Sequence, residues 1–133
     1  MSFLLDTNII SNHFRRPSGL AHRFFQYSGR LYTASVALAE VFVWAHNRPD
    51  QAPLLAGIDE LLFQEVRVLD FDRNCADEFG KIRIQMRRNG IEVPSVDLMI
   101  ASVALIYDLT LVTHNVRDFK KIPGLRLDDW LTA

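Results

Sequence analysis

Apolar and polar positions fall into short blocks along this chain, and blocks of two kinds alternate. Phe3-Leu4-Leu5 is an unbroken apolar run that reads as a short buried strand, and it stops at Asp6-Thr7-Asn8. A helical stretch follows from Thr7 and ends near the turn signal Arg16-Pro17-Ser18-Gly19. Residues 20–27 read as a second helix, stopped by Ser28-Gly29. Residues 31–34 form a strand, and Ser35 is placed to cap a helix that runs to about His46. Residues 47–53 break it, 54–63 are the next helix, and the β-branched segment 66–69 is a strand. Asp72 is an N-cap for a long helix ending near Asn89-Gly90, and Ser95, after Pro94, caps a helix over 96–107. Residues 110–113 and 125–127 read as the last two strands. Strands alternating with helices predict an α/β fold, a parallel sheet covered on both faces.

Length and composition narrow the class. The 133 residues make one domain, 1–133, with no low-complexity linker, charge block or internal repeat. Apolar residues at 49% and charged residues at 23% describe a soluble globule rather than a disordered chain. Fifteen Lys and Arg against sixteen Asp and Glu leave a net charge of −1, so nucleic-acid binding would need a local basic patch. Cys75 stands alone, which excludes an intrachain disulfide and a cysteine-based zinc site. The acid at position 6 interrupts any signal-peptide core, and the longest apolar run, around 36–45, contains Glu40. These features point to a cytoplasmic protein with no membrane segment.

Four carboxylates lie in unusually apolar settings. Asp6 falls at the carboxyl end of the first strand, the edge where α/β folds bind ligands; its structural alternative is a helix N-cap. Glu40 is the only ionisable group between Ser35 and Ala45, and a helix apolar all round is expected to be buried. An ionised acid there must be paired with a distant Arg, protonated or bound to a cation. Asp97, in Ser95-Val96-Asp97-Leu98, stands in a first helical turn, where free amides favour an acid on their own account. Asp118 follows the strand ending at Thr113, and alone would be an ordinary loop acid. Together the four change the picture. Two such charges about 4 Å apart repel by about 4 kcal/mol at an effective dielectric of 20, so a cluster needs a counter-cation. Oxygen-only donors select Mg²⁺ or Mn²⁺, ions that hold a phosphodiester and activate water, as nucleases require.

In this order the motifs resemble the PIN-domain family, and within it the VapC-like toxins of toxin–antitoxin modules. Leu4-Leu5-Asp6-Thr7-Asn8, Ser35 through Glu40, Gly90 through Asp97 into Ile100-Ala101, and Leu111-Val112-Thr113-His114-Asn115 with Arg117-Asp118-Phe119 carry the resemblance. Pro123-Gly124-Leu125 and Trp130 follow as in the family. The resemblance implies a three-layer α/β/α sandwich with a central parallel sheet and Mg²⁺- or Mn²⁺-dependent cleavage of RNA. It also implies a cognate antitoxin and a homodimer. Carried over by motif, Asp6, Glu40, Asp97 and Asp118 are the catalytic metal-site acids, with Thr7, Asn8, Thr113 and Asn115 as supporting polar residues. Asn115 stands where some relatives carry an acid, so the fourth carboxylate has to be Asp118. The alternative within the family is a catalytically silent module that binds RNA or protein. Haloacid-dehalogenase-like and receiver-domain readings fit poorly, because Asn8 and Leu5 occupy positions where those proteins need acids.

Weaker signals remain. The helix from Asp72 carries an apolar stripe at Cys75, Phe79, Ile82 and Met86, with Lys81, Arg83, Arg87 and Arg88 outside it. That outer set is either a solvated face or a rail for the RNA backbone, and Arg15, Arg16, Arg23 and Arg30 could act likewise. Phe14, Phe24, Phe25 and Tyr27 are assigned to the core, with a groove for an antitoxin helix as the other use. His13, His22, His46 and His114 show no metal spacing and receive no catalytic role.

Overall fold

The computed structural model describes residues 1–132. Its sheet is built from β1 (Phe3–Leu5), β2 (Leu31–Ala34), β3 (Val66–Leu69), β4 (Thr110–Val112) and β5 (Leu127–Asp128), in the spatial order β3-β2-β1-β4-β5. The connections are α1 (Thr7–Arg15), α2 (Pro17–Gln26), α3 (Ser35–His46), α4 (Gln51–Gln64), α5 (Arg73–Arg88), α6 (Ser95–Ile106) and α7 (Val116–Phe119). Every strand pair is parallel; Leu5 lies opposite Thr33 on one side and Val112 on the other. The chain winds outward from β1 to β3, then returns to add β4 and β5 on the far side. The direction therefore reverses between β1 and β4, and the crevice above their carboxyl ends is where open α/β sheets hold ligands.

Because side chains alternate across a strand, one short run feeds two cores. Leu4 and Leu111 join Ile82, Met86, Leu98 and Ile100 from α5 and α6. Phe3, Leu5 and Val112 join Ile9, Leu20, Val41 and Ile58 from α1 to α4. Burial on both faces is why the strands read as continuous apolar runs. The result is the expected three-layer α/β/α sandwich.

One local device aims α6, the helix that carries Asp97. Asp72 caps α5 by accepting from the Cys75 amide at 3.0 Å. The other end closes as a Schellman turn, with Gly90 at φ 70°, its N–H on Arg87 O, and the Ile91 N–H on Met86 O. Arg83 sits under this turn. The sequence groups it with the outer basic residues, but the structure buries it at 6% exposure. Its guanidinium donates to the Val93 carbonyl at 2.8 Å, the Ser95 hydroxyl at 3.1 Å and the Glu92 carboxylate at 3.2 Å. Position 83 shares the inner face with Ile82 and Met86, so Arg83 fixes the entry to α6 and is withdrawn from an RNA-contacting role.

Other departures have similar causes. Ser35 and Ser95 do not cap; Ala34 and Pro94 hold those positions. The Ser35 hydroxyl instead accepts from the Phe71 amide, and that of Ser95 from Arg83. Pro17 opens α2 rather than ending a loop, since a proline at the first helical position forfeits no hydrogen bond. α4 starts at Gln51, before the expected 54, β4 stops at Val112, and the last strand lies at Leu127–Asp128 rather than 125–127. Phe24 is buried, and Phe14 and Tyr27 pack against the second core, but Phe25 is 87% exposed.

Arg83→Met leaves the Val93 carbonyl and Ser95 hydroxyl without their donor, and should lower stability by about 1–3 kcal/mol in denaturant unfolding. Arg83→Lys should recover only part of the loss, because one ammonium cannot span the same fork of acceptors.

Candidate active site

Asp6 ends β1 and caps α1 in one residue, so the N-cap reading and the site reading describe the same side chain. One carboxylate oxygen accepts from the Thr7 amide at 2.8 Å, and the other from the Thr113 hydroxyl at 2.7 Å. Thr113 is delivered by the sheet, since it directly follows β4, which pairs with β1. Its own hydroxyl accepts from the Asn115 amide at 3.0 Å, which polarises the O–H toward Asp6. Asp6 is only 5% exposed. Burial lifts its carboxyl above the ordinary value, against the lowering pull of Thr113 and Thr7, and repulsion from Glu40 adds to the rise.

Glu40 differs from the sequence expectation. α3 buries Ala37, Val41 and Ala45 but leaves Val43 71% exposed, and Glu40 lies on the exposed side. Its importance rests on position rather than on the cost of burying a charge. The Thr7 hydroxyl donates to Glu40 Oε1 at 2.9 Å, so the first turn of α1 holds both the Asp6 and the Glu40 carboxylates. Asn8, in the same turn, accepts from the His114 amide at 3.2 Å and ties α1 to the segment after β4.

Asp97 stands half-buried in the first turn of α6 and Asp118 half-buried on α7, a short helix with no signal of its own in the sequence pattern. The Asp97 carboxyl is pushed up to about 6, first by burial and then by the charges of Asp6, Glu40 and Asp118. The charges of Asp6, Glu40 and Asp118 thus all act on Asp97. Lys121 lies 3.9 Å from Asp118 and partly offsets it. Among the described residues, no three His, Cys, Asp or Glu side chains converge closely enough, as they stand, to close around a cation. The donor set still fits Mg²⁺ or Mn²⁺: the donors are hard oxygens, and Mg²⁺ takes one or two carboxylates while keeping several waters, so no closed cage is needed.

The basic residues are more dispersed. Lys81 pairs with Asp77 and Arg87 with Glu92 on the exposed side of α5. Arg23 and Arg30 lie over the Trp130 and Tyr27 rings, each at 5.7 Å. His114 has no role on sequence grounds, yet its ring Nδ1 stands 3.1 Å from Asp129 Oδ2. No spacing rule joins residues 114 and 129; only the β4–β5 pairing brings them side by side.

Comparison with known proteins agrees with this geometry. The family model for the PIN domain matches residues 3–125. The tRNA(fMet)-specific endonuclease VapC of Salmonella typhimurium is 34% identical over 131 residues, 98% of this chain and 98% of that protein. Ribonuclease VapC2 of Haemophilus influenzae is 30% identical over 132 residues, 98% of this chain and 99% of that protein. Among solved structures, DNA-bound VapBC from Salmonella typhimurium aligns at a TM-score of 0.90 with 33% identity, covering 98% of each chain. VapBC2 from Rickettsia felis, bound to a promoter DNA fragment, aligns at 0.88 with 27% identity, covering 98% of this chain and 99% of that one.

The raised Asp97 carboxyl has a measurable consequence for the cation-free protein. Its folded value of about 6 lies above the ordinary 3.8, so the folded state holds the proton more tightly, and this group's contribution to stability falls as pH rises through that window. Asp97→Asn should therefore raise the thermal midpoint at neutral pH, and the gain should vanish on acidification to about pH 4, where the unfolded chain also takes up the proton.

Proposed function

This chain belongs to the PIN-domain family, with VapC ribonucleases among its full-length relatives, and on that premise we propose that it is a divalent-cation-dependent endoribonuclease, the toxin of a toxin–antitoxin pair. The observation that carries the reading is the frame at the carboxyl end of β1: Thr113 and Thr7 hold the two oxygens of the nearly buried Asp6, and the Thr7 hydroxyl also holds Glu40. Such a cluster of acids is costly to a fold and useful to phosphodiester chemistry.

Asp6 and Asp97 are the principal holders of Mg²⁺ or Mn²⁺ in this proposal, Glu40 a further holder or the base that takes a proton from water, and Asp118 an outer support. Mg²⁺ or Mn²⁺ held by these carboxylates would offset their clustered charge and would supply Lewis acidity toward phosphate and water. Thr113 and Thr7 keep Asp6 and Glu40 from turning away, and Asn8 and Asn115 hold the loop that carries Thr113. The substrate is an RNA phosphodiester, attacked in line by water. The tRNA(fMet) specificity in a relative's name makes a structured tRNA the first RNA to try.

Relatives solved as VapBC assemblies support an antitoxin partner. Phe25 at 87% exposure and Phe63 at 90% offer apolar contacts for such a chain. Homodimerisation and a cytoplasmic location belong to the same proposal; among the described residues no helix is long and apolar enough to cross a membrane.

Purified, antitoxin-free protein should cut total cellular RNA at discrete sites in the presence of Mn²⁺, and Asp6→Asn should lose this activity while remaining folded, its thermal midpoint shifted by the loss of one of two accepting oxygens. An Asp6→Asn protein as active as the wild type would sink the proposal. The outer side of α5 supplies a second test. If Lys81, Arg87 and Arg88 track the RNA backbone, Arg87→Ala with Arg88→Ala should weaken RNA binding and flatten its salt dependence by about 0.7 for each phosphate deprived of its cation. An unchanged slope would return these residues to a solvated face.

A further inference from the structure

The same sheet edge carries a second constellation, outside the four acids, and from its geometry we infer that His114 is a catalytic residue, the general acid that protonates the departing ribose oxygen, with Asp129 as its positioning residue. This rests on the nuclease reading and adds a proton donor to it. Val112 pairs with Asp128, and the Thr113 amide donates to the Asp128 carbonyl at 2.9 Å, so His114 and Asp129 leave adjacent parallel strands side by side. The residue before His114 bonds Asp6, and the His114 amide itself bonds Asn8. The backbone of His114 is thus tied to the loop that holds Asp6, and its ring is tied to Asp129.

The ring's orientation follows from its partner. Asp129 is largely buried, with a side-chain exposure of 17%. It accepts from the Leu131 amide, the Thr132 hydroxyl and His114 Nδ1. Burial works to raise its carboxyl, but these bonds and the charge of His114 outweigh burial and hold it below the usual range. A carboxylate can only accept, so Nδ1 carries a hydrogen and Nε2 is the free position. The His114 side chain is 60% exposed. Fixing an exposed ring costs rotamer freedom.

The step balances. Water forms the new bond to phosphorus and releases a proton. The scissile P–O bond breaks with its electron pair passing to the ribose oxygen, and the Nε2 proton of the imidazolium moves to that oxygen. The ring is left neutral, its remaining proton on Nδ1 against Asp129. The proton released by water, carried through solvent, restores the imidazolium.

Wild type, His114→Ala, Asp129→Asn and Asp6→Asn are compared for Mg²⁺-supported cleavage of total cellular RNA, with thermal midpoints showing that each is folded. His114→Ala should lose about 10²-fold or more in cleavage rate at saturating RNA. Added imidazole should restore it in a dose-dependent manner, and should not restore Asp6→Asn. Asp129→Asn should lose less, and ¹⁵N spectra of the cation-free wild type should place the neutral ring's proton on Nδ1, a preference lost in that variant. A His114→Ala protein as fast as wild type, a deficit confined to RNA affinity, or a deficit that imidazole leaves untouched would each overturn the assignment. A wild type as inert as Asp6→Asn would bring down the nuclease reading itself, and this assignment with it.

Discussion

The Asp6 carboxylate is the constraint on which the rest of the site depends. It is nearly buried, it ends the central strand, and its two oxygens are taken by donors from the helix that follows and from the loop beyond the neighbouring strand. A buried acid without such donors would be expensive. With them, it fixes α1, β1 and the segment after β4 relative to one another. The Thr7 bond to Glu40 and the Asn8 bond to the His114 amide extend that frame by one turn in each direction.

The frame concentrates like charge where the sheet opens. Asp6 and Asp97 both bear its cost, each raised first by burial and then by neighbouring charge. The fold holds Asp97 in place from behind, through the buried Arg83, which clamps the turn leading into α6. A well-satisfied cation in the interior thus supports an under-satisfied anion at the surface. Stability and chemistry are divided between the two ends of one connection.

Much of this is legible in the sequence. The alternation of apolar runs with helical stretches predicts the layered parallel sheet, and Asp6, at the end of the first run, predicts the working edge. Glu40 stands out in the sequence for a reason that does not hold: an apolar helix is expected to be enclosed, yet α3 leaves one side open. Arg83 escapes a sequence reading because its charge groups it with the outer cations although its spacing sets it inward, and the carbonyl and hydroxyl that satisfy it lie beyond the helix. Ser35 and Ser95 look like caps and serve as tertiary hydrogen-bond acceptors. Asp129 carries no signal, because its neighbour is set by the register of a two-residue strand.

The bond between Thr113 and Asp6 spans 107 positions of the chain. Closing so long a loop is entropically unfavourable until the intervening strands have paired. During synthesis, Asp6 and Glu40 emerge early as an ordinary helix cap and an exposed helical acid, separated from Thr113, Asp118 and Asp129. The edge exists only once the last strand has docked beside β4. A chain still lacking residues 113–129 therefore carries Asp6 and Glu40 but not the assembled edge.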